Sequence, residues 1–206
     1  MKTRLIPVLL VLFAAVCTAP AHATLPGAEW NIDTSLNAAS FFGGEGVTLL
    51  RAQSFEAVQG GRVESVRLRI GRASDHEMDL RVMLFALGTD GFPTGDALLS
   101  GDFPPASIPV MSIAVTAFDF PANQTVELAA GRRYALVTTA AEPGTESLFY
   151  LNGGFGEEAT YEAGQALRSS DGAAWFAGDL DFAFQVLVDD SVPVRSVSWG
   201  RVKTLY

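Results

Sequence analysis

The segment that most constrains the fold runs from Asp179 to Val188 and reads DLDFAFQVLV. Its apolar residues recur at every second position, and Phe182 and Phe184 place two aromatic rings on the same face. Alternation with a period of two is typical of a β-strand that has one face on a hydrophobic core. A strand this apolar needs a large partner surface, which the upstream chain must supply.

The same alternation recurs upstream in short segments that are separated by turn-forming residues. It is clearest over 63–70, 78–86 and 133–139, and the segment 78–86 is apolar on both faces, so we expect it to be central in a sheet. Eight to ten such segments, joined by turns that draw on 20 glycines and 10 prolines, leave almost no room for helix. The pattern predicts an all-β, two-sheet antiparallel β-sandwich with jelly-roll-like organisation, and an up-and-down barrel is the alternative.

The first 23 residues have the pattern of a secretory signal peptide. A short basic region is followed by an apolar run over 5–16 and by Ala21-His22-Ala23, an A-x-A cleavage site. The apolar run is shorter than the roughly 20 residues that span a bilayer. We therefore expect cleavage after Ala23, a β-sandwich domain over 24–190 and a C-terminal tail over 191–206. The mature protein is then secreted or displayed at the cell surface, with no membrane span.

Cysteine content and charge limit the chemistry of the mature chain. Cys17 is the one cysteine, so cleavage after Ala23 leaves no disulfide and no thiolate-bound zinc, and a lipoprotein cleaved at Cys17 is the alternative. Without Lys2 and Arg4 the chain keeps 12 basic and 23 acidic residues, a net charge of −11. This charge repels nucleic acid and anionic membranes. Solubility explains it, and a preference for calcium is the functional alternative.

Several short motifs extend over 47–188, most of the mature chain. They are Ala52-Gln53-Ser54-Phe55, Gly91-Phe92-Pro93-Thr94-Gly95 before Leu98-Leu99, the run 126–137 that ends x-Tyr-x-Leu-Val, Tyr161-x-x-Gly164-x-Ala166, Trp175, and Asp181-Phe182-Ala183-Phe184. Together they resemble the choice-of-anchor type domains of bacterial exported and surface proteins. The resemblance implies a jelly-roll-like β-sandwich similar to carbohydrate-binding modules. These are packing motifs, so the resemblance assigns no catalytic or binding residue.

Catalytic constellations are poorly represented in the sequence. His76 is the only histidine after residue 23, and the chain has no G-x-S-x-G motif, so neither a nucleophilic triad nor a zinc site is indicated. A glycosidase needs two carboxylates across a cleft. The candidates for such a pair are Glu157, Glu158, Glu162, Asp179 and Asp181.

Two further sets of residues predict binding sites. Asp179 and Asp181 stand where the last strand begins, beside a glycine turn, and predict a calcium site, with solvated loops as the alternative. Five aromatic residues near glycine-rich loops predict a surface on which a sugar ring stacks: Tyr150, Phe155, Tyr161, Trp175 and Phe176. The alternative is that these rings pack in the sandwich, since large aromatics dominate protein cores.

These observations favour a function in recognition over one in catalysis. We expect an exported, non-enzymatic β-sandwich module that recognises a surface or extracellular ligand, and a glycan is the ligand class that the aromatics indicate. A structural or adhesive component of a cell-envelope assembly is the alternative. A glycoside hydrolase is the least favoured of the three.

Overall fold

The computed structural model describes residues 24–34, 36, 38–43, 50–142, 149–154 and 160–189. The predicted signal peptide (1–23), the predicted tail (191–206), and three candidate site residues, Phe155, Glu157 and Glu158, lie outside these residues. Within the described ranges the only helical element is a single 3₁₀ turn at Pro105–Ser107. No helix in those ranges is long and apolar enough to cross a membrane.

The described chain forms fourteen short strands. They are β1 (Thr24–Trp30), β2 (Ala38–Phe42), β3 (Leu50–Glu56), β4 (Gly61–Arg72), β5 (Leu80–Leu87), β6 (Pro93–Phe103), β7 (Ala114–Asp119), β8 (Glu127–Leu128), β9 (Arg133–Ala140), β10 (Phe149–Gly154), β11 (Ala166–Ser169), β12 (Phe176–Ala177), β13 (Asp181–Phe182) and β14 (Phe184–Asp189).

These strands build two antiparallel sheets. Sheet A has the order β1-β14-β4-β10-β13, with β2 paired to β10 and with β7 and β8 paired to β4. Sheet B has the order β12-β11-β3-β9-β5-β6. The predicted all-β, two-sheet antiparallel sandwich is therefore confirmed, and its jelly-roll organisation stays a prediction. Strand β5 lies between β9 and β6, as its two apolar faces predict.

The main core lies between the sheets and is built from alternating residues of both. Strand β14 contributes Phe184, Val186 and Val188, each with 0 % of its surface exposed. Sheet B contributes Phe55 and Leu136, which belong to the same cluster. Burying a side chain of this size stabilises a fold by about 1.5–3 kcal/mol. The alternation within DLDFAFQVLV thus forms the inward face that the sequence predicts.

That segment is not one uninterrupted strand. Ala183 separates β13 from β14, and its N–H donates to the Asn152 carbonyl at 3.0 Å. Strand β13 pairs with the end of β10, whereas β14 pairs with β4 on one side and β1 on the other. The last described strand therefore lies inside sheet A, between β1 and β4, while β10 pairs directly with β4.

Candidate ligand-binding surface

Tyr161 lies inside the sandwich. Its ring is 5.4 Å from that of Phe184 and 6.3 Å from that of Trp30, measured between centroids, and only 9 % of the residue is exposed. Burial is the main cause that raises the pKa of its hydroxyl. These are the contacts of a core residue, and they match the packing alternative for this ring.

Asp181 anchors a hydrogen-bond network that joins the two sheets. Its Oδ1 accepts from Gln53 Nε2 at 3.0 Å, and its Oδ2 accepts from the Tyr161 N–H at 2.8 Å. Gln53 Oε1 in turn accepts from the Phe182 N–H at 2.8 Å. Both carboxylate oxygens of Asp181 are therefore engaged by protein donors.

The predicted calcium site at Asp179 and Asp181 stays a prediction. Asp179 is exposed, and the two oxygens of Asp181 already accept hydrogen bonds. Over the described ranges, no group of three or more histidine, cysteine or acidic side chains is arranged to hold a metal ion. A calcium ion takes six to eight oxygen ligands, so these two residues would supply a minority of its shell.

Trp175 packs on the outer face of sheet B, not between the sheets. It belongs to a second apolar cluster, together with Leu50, Ala52, Ala135, Val137 and Leu167. Its indole Nε1 donates to the Gly172 carbonyl at 3.1 Å, and 9 % of the residue is exposed. The ring therefore covers the small side chains of the sheet and has a structural role in the described part of the protein.

Tyr150 lies on the outer face of sheet A, where its ring rests on the backbone of Gly71. A Cβ at residue 71 would stand 2.1 Å from the Ser112 carbonyl oxygen and 2.5 Å from Tyr150 Cε2, so only glycine fits beneath the ring. The Tyr150 hydroxyl donates to the same Ser112 oxygen at 3.0 Å. Burial raises the pKa of this hydroxyl. Tyr150 is thus fixed at both ends, with 8 % of its surface exposed.

Phe41 covers Tyr150 and presents its own ring to solvent. It is the cross-strand partner of Tyr150 in the β2–β10 pairing, and the two ring centroids are 5.5 Å apart with a tilt of 56°. Half of Phe41 is exposed, which is unusual for a large aromatic residue. Phe41 is the exposed aromatic that the sequence analysis did not select.

Two exposed apolar residues stand beside this pair. Met111, with 76 % of its surface exposed, has a backbone φ of +52°, in the left-handed region that side chains other than glycine rarely adopt. Its N–H donates to the Arg72 carbonyl at 2.8 Å, which holds the strained turn next to Ser112. Val115 on β7 is 41 % exposed. Strain of this kind persists where the surrounding structure enforces it, and such sites are frequent at binding surfaces.

A fixed arginine borders the same face. Arg69 is the cross-strand partner of Val115, and its Nε donates to Asn152 Oδ1 at 3.2 Å while its Nη1 donates to the Ile32 carbonyl at 3.3 Å. Asn152 is itself held by Nδ2 donation to the carbonyls of Leu36 and Ala38. We call the surface formed by Phe41, Tyr150, Arg69, Met111 and Val115 the Phe41 platform. It combines an exposed ring, an apolar border and one positioned hydrogen-bond donor.

Three of the carboxylates considered for hydrolysis, Glu162, Asp179 and Asp181, lie in the described part of the chain. Glu162 and Asp179 are exposed, and Asp181 is engaged in its network. A separate shallow depression of about 410 Å³ is lined by Glu77, Asp79, Asp102 and Glu142 together with Arg81. Arg81 binds Asp102 through two hydrogen bonds, of 2.6 and 2.7 Å, and these lower the pKa of the Asp102 carboxyl. That pair is a surface ion pair, and it neutralises one of the four acids.

Comparison with known proteins adds no relative. No family model matches the chain, and no curated protein matches it.

Proposed function

We propose that this protein is an exported, non-enzymatic β-sandwich module that recognises a surface or extracellular glycan at the Phe41 platform. The observation that carries the proposal is the half-exposed ring of Phe41, braced from below by Tyr150. A flat ring that is already fixed stacks on the apolar face of a pyranose with little loss of side-chain entropy. The proposed export depends on the signal-peptide pattern of residues 1–23.

The polar groups around the ring support a sugar ligand. Arg69 is held by two acceptors, so its remaining N–H groups have a fixed direction beside the platform. Binding sites for small ligands combine apolar contact area with a few positioned polar groups. The platform has both, and it includes no pair of carboxylates that could transfer protons.

A structural or adhesive role is the second candidate, and a specific observation favours it. Met111, Val115 and Phe41 are all more than two-fifths exposed and lie on one face of the sandwich. Exposed apolar groups that share one face are frequent at protein–protein contacts. In this role the platform would be covered by another protein of an envelope assembly.

A glycan array probed with the purified protein separates the two candidates. We expect selective binding that Phe41→Ala weakens by about tenfold or more, as is typical for the loss of a central aromatic contact. Phe41→Trp should retain binding. The matched control is Leu98→Ala, which truncates an exposed apolar residue on the opposite sheet, sheet B. This variant should bind like the wild type.

The same variants test the structural role. If the folded protein binds no glycan, while sedimentation or crosslinking finds an assembly that Phe41→Ala and Met111→Ala disrupt, the glycan proposal fails and the assembly role replaces it. If Phe41→Ala and Leu98→Ala bind glycan equally well, the Phe41 platform is not the glycan site.

A further inference from the structure

A second group of residues lies at the open edge between the two sheets. In the β3–β11 pairing Arg51 stands directly opposite Arg168, and in the β11–β12 pairing Arg168 stands opposite Phe176. The three residues therefore form a row across the edge of sheet B. Directly opposed residues of antiparallel strands have their Cβ atoms about 4.5–5.5 Å apart and point to the same face.

The row faces the space between the sheets. Residues two apart on a strand share a face, and Gln53, two positions after Arg51, is buried in the network that reaches Asp181 of sheet A. Ala166, two positions before Arg168, belongs to the main core. Across the gap, Ser40 Oγ of β2 accepts from Arg51 Nε at 2.8 Å. We call Ser40, Arg51, Arg168 and Phe176 the arginine rim.

The two arginines form an arrangement that is unfavourable by itself. Like charges that stand directly opposite each other destabilise a sheet. Burial and then the charge of Arg168 lower the pKa of Arg51. Across the described ranges neither residue forms an ion pair with a carboxylate, whereas Arg62, Arg72 and Arg81 each do. This occurs in a chain with 23 acidic residues, which offers many candidate partners.

An aromatic ring completes the rim. Phe176 is 58 % exposed and belongs to the two-residue edge strand β12. Its position next to Arg168 places a flat apolar surface beside two guanidinium groups. A guanidinium binds a carboxylate or a sulfate with two parallel hydrogen bonds, which gives both energy and geometry.

We propose that the arginine rim binds the oxyanion of an acidic sugar, a uronate carboxylate or a sulfate ester, with Phe176 stacking on the sugar ring that carries it. The site goes beyond the proposed function because it is separate from the Phe41 platform. Ser40 and Phe41 are adjacent on β2 and point to opposite faces of sheet A, since successive side chains of a strand alternate. Occupancy of the rim therefore does not require the platform.

Short probes suit the test, because the acidic surface elsewhere repels long polyanions. Binding to the whole protein is measured by calorimetry with a galacturonic acid trimer, a sulfated maltotriose and unmodified maltotriose. We expect one or both acidic probes to bind and the neutral one to bind at least about tenfold more weakly, because charge-assisted hydrogen bonds are the strong ones. The better acidic probe identifies whether the carboxylate or the sulfate is the recognised group.

Charge-matched variants locate the site. Arg168→Gln and Phe176→Ala should each weaken binding of the acidic probe by about tenfold. Arg132→Gln is the control, because Arg132 is an exposed turn residue whose carbonyl accepts from the Ala57 N–H, at the opposite end of β3 and roughly 20 Å away. Arg51→Lys keeps the charge but loses the two-bond geometry, so it should also weaken binding.

Three outcomes would overturn the proposal. The first is that neither acidic probe binds the folded protein, and the second is that Arg168→Gln and Arg132→Gln weaken binding equally. The third is that Phe41→Ala abolishes binding of the acidic probe while Arg168→Gln leaves it unchanged. The last result would leave the Phe41 platform as the glycan site and remove the arginine rim. Conversely, a rim that binds acidic probes in the Phe41→Ala variant supports the rim even if the platform proposal fails.

Discussion

Two successive inward positions of strand β3 illustrate opposite uses of a polar side chain. Gln53 is 2 % exposed, and its amide donates to Asp181 and to the Ser54 carbonyl while accepting from the Phe182 N–H. Arg51, one step closer to the edge, donates to Ser40 and to the Leu50 carbonyl but faces Arg168. The first side chain is saturated by the fold, whereas the second keeps hydrogen-bonding capacity and an opposed charge.

This difference follows from how deeply each side chain is buried between the sheets. A polar group deep between the sheets must find protein partners, because leaving one unpaired there costs about 1–3 kcal/mol. At the edge, water can satisfy what the protein does not, so selection for binding can leave donors available. We therefore assign the saturated network a structural role, and we propose recognition for the unsaturated rim.

Among these variants, Gln53→Met should lower the stability of the fold the most. It removes the partner of Asp181 Oδ1 and of the Phe182 N–H, and we expect the free energy of unfolding to fall by about 2–4 kcal/mol. Urea denaturation measures the change. Gln59→Met, at a partly exposed loop position, is the control and should lie within about 0.5 kcal/mol of the wild type. If Gln53→Met and Gln59→Met lowered stability equally, the hydrogen bonds of Gln53 would not contribute to stability in the way that the comparison with Arg51 requires.

Asp181→Asn tests the other half of the network. The amide replaces one acceptor by a donor that meets the Gln53 amide or the Tyr161 N–H, so we expect a loss of about 1–2 kcal/mol. Asp179→Asn, at an exposed position, should change stability little. A comparable loss in both variants, together with a calcium-dependent melting temperature in the wild type, would instead support the predicted calcium site.

His76 is a third polar side chain to compare with Gln53 and Arg51, because both of its ring nitrogens are shielded from solvent. Burial and the charge of Arg72 lower its pKa below 6.5, against smaller raising effects of the Met78 backbone and Asp75. The unfolded chain then takes up the proton more readily than the folded one, so stability is full above about pH 6.5 and declines as the pH falls toward the folded-state value. Urea denaturation between pH 7.5 and 5.5 should show this slope in the wild type and a shallower one in His76→Gln. Parallel curves would contradict it.

Arg168→Gln should change the stability of the fold the least, and any change should be a gain. Removing one of two opposed charges should leave the melting temperature unchanged or raise stability by up to about 0.5 kcal/mol. Arg81→Gln provides the contrast, because Arg81 binds Asp102 and its loss should lower stability by up to about 1 kcal/mol. A clear fall in stability for Arg168→Gln would show that this residue has a structural partner, and would weaken the case for the rim.

The sequence predicts the sandwich because its longest alternating segments coincide with central strands. The segments 63–70, 78–86 and 133–139 correspond to β4, β5 and β9. Their inward residues fall at every second position, except that Val63 of β4 is also inward because the register with β14 shifts there, so local pattern determines most of the buried face.

Strand β2 could not be recognised in this way, and both proposed sites depend on it. Its sequence AASFF does not alternate, since Phe41 points outward and Phe42 is fully buried. The pairing of Arg51 with Arg168 joins residues far apart in the sequence, so only the sheet register reveals it. Trp175 and Tyr161 were selected by residue type, which does not distinguish a ring that covers a sheet from one that contacts a ligand.

The placement of β14 has a consequence for how the protein folds. Thr24 pairs with Asp189 and Trp30 with Phe184, so the first and last described strands are neighbours, and Gln53 bonds Asp181 across 128 residues. Contacts this distant form only after long loops close, and all-β domains of this kind fold in milliseconds to seconds. Until the last strand arrives, β4 exposes one edge and part of its core face to other unfinished chains. We therefore expect the chain to be most prone to aggregation in the interval before β14 pairs with β4.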